Sequence, residues 1–299
     1  MIESVNLTKR YDNVTAVDHI SAVIRDGSVF GLVGTNGAGK STFLKLAAGI
    51  LKPDEGSISI DGAEVFENPA VKGSFFYISD DQYFFPNAAP SEMMRFYQSL
   101  YPGFDTSRFQ ELMKAFDLPS GRKISTYSKG MKKQLSILLG LCARTRYLFC
   151  DETFDGLDPV MRQAVKSLMA GEIEERGLTP VITSHNLREL EDICDHVGLL
   201  HKGGILFSRD LDEMKLSLHK LQLVLHPGMK IEDLPDLDIV LKEQRGSICT
   251  LTVRGDAQEI LHRMEAYAPL FYELVPLTLE EIFISETEVN GYDIKNLIL

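Results

Sequence analysis

Apolar and polar positions follow two rhythms along this chain. Residues 2–8 and 17–24 alternate apolar with polar, which predicts half-buried strands. Residues 28–33 form a short apolar run that reads as a buried strand, and 42–48 read as a helix. Two short strands follow, 57–60 and 63–66, joined by the hairpin dipeptide Asp61-Gly62. Residues 75–79 read as a core strand ending in the polar cluster Asp80-Asp81-Gln82. The rhythm then changes: 91–100 and 106–116 place apolar residues at three- and four-residue spacing, separated by Pro102-Gly103. An apolar helix runs from Ser128 to Ala143, and strand signals return only at Tyr147. Residues 86–143 therefore read as a helical insertion between core strands. Strand 147–150, helix 158–175, strand 179–183 and helix 187–194 then alternate, which implies a largely parallel sheet with covered faces.

The tail changes character. Residues 220–225, 238–244, 247–253 and 270–275 read as strands, 257–266 as a helix, and 277–283 as a closing amphipathic helix. This predicts a small α+β accessory domain over 220–299 behind a larger domain over 1–215.

A length of 299 residues, 44% hydrophobic, fits one large domain plus a small one. The formal net charge is −12, and from residue 211 onward 16 carboxylates face 8 cations. That balance disfavours nucleic acid and anionic surfaces as partners. The longest apolar run, 135–143, falls short of the roughly 20 residues that span a bilayer. The opening Met1-Ile2-Glu3-Ser4 lacks a signal-peptide pattern, so a soluble, cytoplasmic protein is expected. Cys142, Cys150, Cys194 and Cys249 form no CxxC pair and sit among apolar residues, as buried reduced thiols do.

One stretch organises the chain: Gly34-Thr35-Asn36-Gly37-Ala38-Gly39-Lys40-Ser41-Thr42, set between a strand and a helix. Its glycines let several backbone N–H groups wrap phosphate oxygens, and the helix N-terminus adds positive potential. Lys40 adds a full charge, and Ser41 can offer its hydroxyl to Mg2+. These residues predict a nucleoside-triphosphate site.

Further groups carry chemistry. Asp151 and Glu152 end an apolar strand at the edge where α/β sheets place ligands. One can hold a metal and the other can polarise a water. Ser128 fits as a helix N-cap. Alternatively Tyr127-Ser128-Lys129-Gly130-Met131 forms a second anion site, useful only if it faces a nucleotide held by another subunit. His185 follows a core strand and can either sense a γ-phosphate or serve structure. Tyr11 can either stack on an adenine or simply pack.

In this order the clusters resemble the nucleotide-binding subunit of ABC transporters, over roughly residues 1–215. The resemblance implies a P-loop NTPase (ABC ATPase) core with a parallel sheet, an antiparallel β subdomain and a helical subdomain at about 86–143. It implies that Gly34, Asn36, Gly37, Ala38, Gly39, Lys40, Ser41 and Thr42 bind the phosphates of ATP and that Tyr11 stacks on its base. Ser128 and Gly130 would belong to the signature loop, and Gly156-Leu157-Asp158 to the D-loop. Glu152, His185 and Lys40 would be catalytic, and Ser41, Asp80 and Asp151 would hold Mg2+.

The sequence departs from the family at three places. Asp80 stands where Gln is usual, with Gln82 two residues on; Lys129 replaces a common glycine; Thr153 replaces a proline. The implied partners are a homodimer or heterodimer mate and a transmembrane permease on a separate chain. The implied location is the inner face of the membrane, without nucleic acid. Tyr83-Phe84-Phe85-Pro86 either grips that permease or packs the helical subdomain. The ending Leu279-Glu280-Glu281-Ile282-Phe283 is similar to exporters of the multidrug and antibiotic-resistance type. A soluble ABC ATPase and a P-loop kinase are the competing readings; the kinase would need neither the Ser128 nor the His185 cluster.

Overall fold

A computed structural model describes residues 1–234 and 237–289 of the protein. The chain divides into two compact units, the first ending at Ser208 and the second starting at Arg209. The parts of the expected accessory domain at 235–236 and 290–299 lie outside the described residues.

The first unit holds strands β1 (Ile2–Tyr11), β2 (Val14–Ile24), β3 (Phe30–Val33), β4 (Glu55–Ile60), β5 (Ala63–Glu64), β6 (Phe75–Ile78), β7 (Tyr147–Asp151), β8 (Thr179–Ser184), β9 (His196–His201) and β10 (Gly204–Asp210), whose last two residues fall past the boundary. Six of them form one sheet in the order β10-β9-β3-β8-β7-β6, and β9, β3, β8, β7 and β6 run parallel. Strands β3, β7 and β8 are buried at every residue, so their apolar runs are unbroken rather than alternating. The other four form an antiparallel sheet, β2-β1-β4-β5. Asp61 and Gly62 turn with φ of 52° and 79°, both positive, as a tight hairpin requires.

Helix α1 (Lys40–Ala47) lies between the sheets, and its Phe43 and Leu44 join a single core with Leu7, Ile20, Phe149 and Val181. The short α2 (Pro69–Lys72) precedes β6. Between β6 and β7 come α3 (Pro90–Leu100), α4 (Thr106–Ala115) and α5 (Lys129–Cys142). From Lys133 to Cys142 every residue of α5 is buried, which explains a helix apolar nearly all round. Helix α6 (Pro159–Arg176) is capped by the Asp158 carboxylate at its start and by a left-handed Gly177 at its end.

Three local expectations change. The helix read at 187–194 stops early: α7 spans Leu187–Leu190. Beyond it the chain is captured by β3's entry, where Asp195 and His196 donate backbone N–H bonds to the Val29 carbonyl. The Asp195 carboxylate accepts the Val29 N–H at 2.7 Å. Strands β9 and β10 follow without having been anticipated, although Lys202 and Gly203, with φ of 47° and 86°, are a turn signal between two apolar runs. The strand read at 63–66 closes after two residues, because Val65 leaves the sheet to enter the core.

The second unit begins with α8 (Leu211–Ser217) and then β11 (Leu218–Val224), β12 (Asp238–Arg245), β13 (Ile248–Arg254), α9 (Ala257–Tyr267), β14 (Phe271–Val275) and α10 (Leu279–Val289). Its sheet has the order β12-β13-β11-β14, antiparallel throughout. Leu221, Leu223, Leu251 and Val253 pack on Ile260 and Met264 of α9. All four cysteines are free and buried. Burial pushes the Cys142 and Cys150 thiols up to about 12. Among the described residues no helix is long and apolar enough to cross a membrane.

Candidate nucleotide site

The site is assembled where β3 hands the chain to α1. The glycines of the loop are dictated by close approach. A Cβ on Gly34 would stand 2.4 Å from the Leu200 carbonyl oxygen. One on Gly39, whose φ is 106°, would stand 2.1 Å from that of Ala16. Gly39 occupies the N-cap of α1, and no side chain caps the helix. The first N–H groups of α1 thus have no side-chain acceptor of their own.

Lys40 is only 5% exposed. Its ammonium donates to the carbonyls of Gly34 (2.8 Å) and Thr35 (3.3 Å), and lies 3.1 Å from Oε1 of Glu152. Next along α1, the Ser41 hydroxyl donates to Oδ1 of Asp151 at 2.9 Å. Asp151 ends β7 in a buried position and accepts two further hydroxyls, Thr183 at 2.8 Å and Tyr77 at 3.2 Å. Burial beside this carboxylate drives the Tyr77 phenol well above its ordinary value.

Glu152 stands in the left-handed region with φ 47°. Its N–H donates to the Thr183 hydroxyl at 3.0 Å and its carbonyl accepts the Lys133 ammonium at 2.6 Å. Its carboxylate reaches Lys40 on one side and Nδ1 of His185, at 2.9 Å, on the other. Burial raises this carboxyl's pKa, but the His185 hydrogen bond and the Lys40 charge outweigh burial and hold it below the usual carboxylate value.

A cavity of about 490 Å³ opens over these groups. It is lined by Tyr11, Asn36, Gly37, Ala38, Gly39, Lys40, Ser41, Thr42, Asp80, Glu152 and His185, and also by Ala16 and Asp155. Gly34 and Asp151 stand behind the lining, and Tyr11 is exposed at its rim. Asp80 meets Lys133 at 3.2 Å, whereas Gln82 turns its amide back onto the carbonyls of Ser79 and Asp80. Ser128 and Gly130 do not line the cavity; Ser128 caps α5 by accepting the Met131 N–H at 3.2 Å.

Five contributors escaped the reading of the sequence as site residues: Ala16, Thr183, Tyr77, Lys133 and Asp155. Thr183 and Tyr77 are ordinary strand residues until the fold puts them beside Asp151. Lys133 carried a readable signal, a lysine in the middle of an apolar helix.

The chemistry of this cavity is that of a polyphosphate site: a glycine cradle, a buried cation, and hard oxygen donors beside them. Residues 17–155 match the family model described as ABC transporter. The ABC transporter ATP-binding protein YtrB of Bacillus subtilis (strain 168) is 32% identical over 96% of this chain and 98% of its own length. The chain belongs to the ABC transporter family. This ABC subunit is also 30% identical to the bacitracin transport ATP-binding protein BcrA of Bacillus licheniformis, over 72% of this chain and 71% of that one. A solved structure of an ATP binding subunit of an ABC transporter superposes with a TM-score of 0.66 at 26% identity, covering 72% of this chain and 92% of that one. The fold is that of a P-loop ABC ATPase, and the activity of this ABC subunit is ATP binding and hydrolysis coupled to transport. The kinase reading falls with that assignment.

Proposed function

We propose that this ABC subunit drives an exporter through a separate membrane permease, working at the inner face of the membrane as one of two ATP-binding subunits. The relative named for bacitracin transport supports this reading, as does the doxorubicin resistance ATP-binding protein DrrA of Mycobacterium tuberculosis, 30% identical over 81% of this chain and 73% of that one. Two copies, or one copy and a homologue, close over two nucleotides.

Within each site Tyr11 stacks on adenine and the 34–42 loop cradles the phosphates. Lys40 and the N-terminus of α1 take up the γ-phosphate charge. The partner subunit supplies its own Ser128–Gly130 loop across the nucleotide, and Lys129 adds a positive charge there. Ser41 with Asp151, and Asp80 on the cavity wall, offer hard oxygens of the kind suited to Mg2+. Mg2+ held there would neutralise charge on the phosphates. Asp80, rather than Gln82, fills the role of the family's glutamine, because it lines the cavity and Gln82 does not.

The observation that carries the catalytic assignment is the sharing of the Glu152 carboxylate between Lys40 and His185 at the cavity wall. When Lys40 turns to phosphate, Glu152 is left ionised and free on that side to orient the attacking water, with His185 holding its other oxygen. The test is Glu152→Gln. This variant is expected to bind ATP, lose turnover by a factor of ~100 or more, and accumulate as an ATP-bound dimer on size exclusion. Turnover near the native rate would remove Glu152 from this role.

A further inference from the structure

Lys133 sits on α5, five residues after Ser128, and its side chain is 0% exposed. Lysine is almost never fully buried unless its charge is paired, so its two acceptors are informative, although the Asp80 side chain is itself 53% exposed. Its ammonium donates to the backbone carbonyl of Glu152 at 2.6 Å and to Oδ1 of Asp80 at 3.2 Å. Neither acceptor belongs to α5. One follows β7, the other follows β6, and both residues line the nucleotide cavity.

The contact with Glu152 falls on a strained residue. At φ 47° its backbone is in a region that side-chain-bearing residues rarely adopt, and such a conformation persists only when its surroundings over-determine it. Three bonds do so here. The Thr183 hydroxyl holds the Glu152 N–H, while the Glu152 carbonyl accepts the Lys133 ammonium at 2.6 Å and, more distantly, the Asp155 N–H at 3.3 Å. The residue is thus pinned on both sides, with Lys133 the closer donor to the carbonyl.

We propose that Lys133 is a positioning residue for the hydrolysis reaction: it fixes the backbone that aims the Glu152 carboxylate into the cavity, and Asp80 modulates it by sharing its ammonium. Because Lys133 rides on the helix that Ser128 caps, a shift of α5 re-aims Glu152. The inference rests on the proposed role of Glu152.

The test compares Lys133→Met, which keeps length without a donor, with Lys133→Gln, which keeps a donor. ATP affinity by titration calorimetry, kcat and thermal melting are measured for each in the full-length protein. Lys133→Met is expected to lower kcat by ~10-fold or more with ATP affinity within ~2-fold of native, because the 34–42 cradle is untouched. Lys133→Gln recovers much of the rate, and Lys133→Met added to Glu152→Gln lowers it no further. Native kcat in folded Lys133→Met overturns the inference, as does a loss of kcat and affinity that tracks the fraction unfolded. If Lys133→Met does not fold, Lys133→Leu, which also lacks a donor, decides: reduced kcat at native affinity supports positioning, and unchanged kcat overturns it. Failure of the Glu152 reading looks different, since Glu152→Gln itself would then turn over normally.

Discussion

The ammonium of Lys40 lies 3.1 Å from Oε1 of Glu152, and both side chains are largely buried. The cradle's cation is therefore paired with the carboxylate proposed for catalysis, so phosphate and Glu152 compete for it. Hydrogen bonds to charged groups contribute about 1.5–3 kcal/mol. Lys40→Ala is expected to weaken ATP binding by about 10- to 100-fold, read by titration calorimetry. Affinity within twofold of native would mean that Lys40 stays with Glu152 when ATP binds.

The same pair sets a pH dependence. The folded-state pKa of Glu152 is held below its unfolded value, so its contribution to stability is present above the usual glutamate value of about 4.3 and lost as pH falls through the folded value. The melting temperature of native protein minus that of Glu152→Gln should be largest near neutrality and shrink below about pH 4.3. A difference that grows on acidification would reverse the assigned direction.

Thr183 serves two masters. Its hydroxyl donates to Asp151 at 2.8 Å and accepts the Glu152 N–H at 3.0 Å. Thr183→Val keeps the shape, strands the Glu152 N–H and removes one donor from the Asp151 carboxylate. Stability should fall by about 1–3 kcal/mol, measured by urea denaturation, and ATPase activity with it. A stability loss under ~0.5 kcal/mol with full activity would show that water replaces the hydroxyl at no cost.

Tyr83 and Phe85 allow a graded test of whether residues 83–86 grip a permease or pack the helical subdomain. The rings of Phe85 and Phe96 meet edge to face with centroids 4.7 Å apart, so Phe85 also serves packing. Tyr83 is 72% exposed. Tyr83→Ala should change stability by less than ~0.5 kcal/mol and leave ATPase activity of the isolated subunit intact. ATP-driven transport in vesicles with its permease should fall. Unchanged transport would move the docking surface elsewhere.

The nine-residue cradle was legible because its chemistry is local. Glycines that permit close backbone approach, a lysine and a serine follow one another, and a strand and a helix flank them. The helical segment between β6 and β7 was legible for a similar reason, the change of apolar period. Strands β9 and β10 were not, since their runs are short and the pairing of β9 with distant β3 supplies the order. The end of α7 at Leu190 was likewise decided by Val29, far away in the chain.

Sequence alone determined the kind of site: a phosphate loop, two carboxylates after a strand, and a histidine after the next. Tertiary structure decided which groups share charge. Lys40 with Glu152, Asp80 with Lys133 and Asp151 with Ser41, Tyr77 and Thr183 join separate strands and helices. A lysine's place in the sequence limits its reach but not its partner. That choice follows from which carboxylate the folded sheet brings within hydrogen-bonding distance of it.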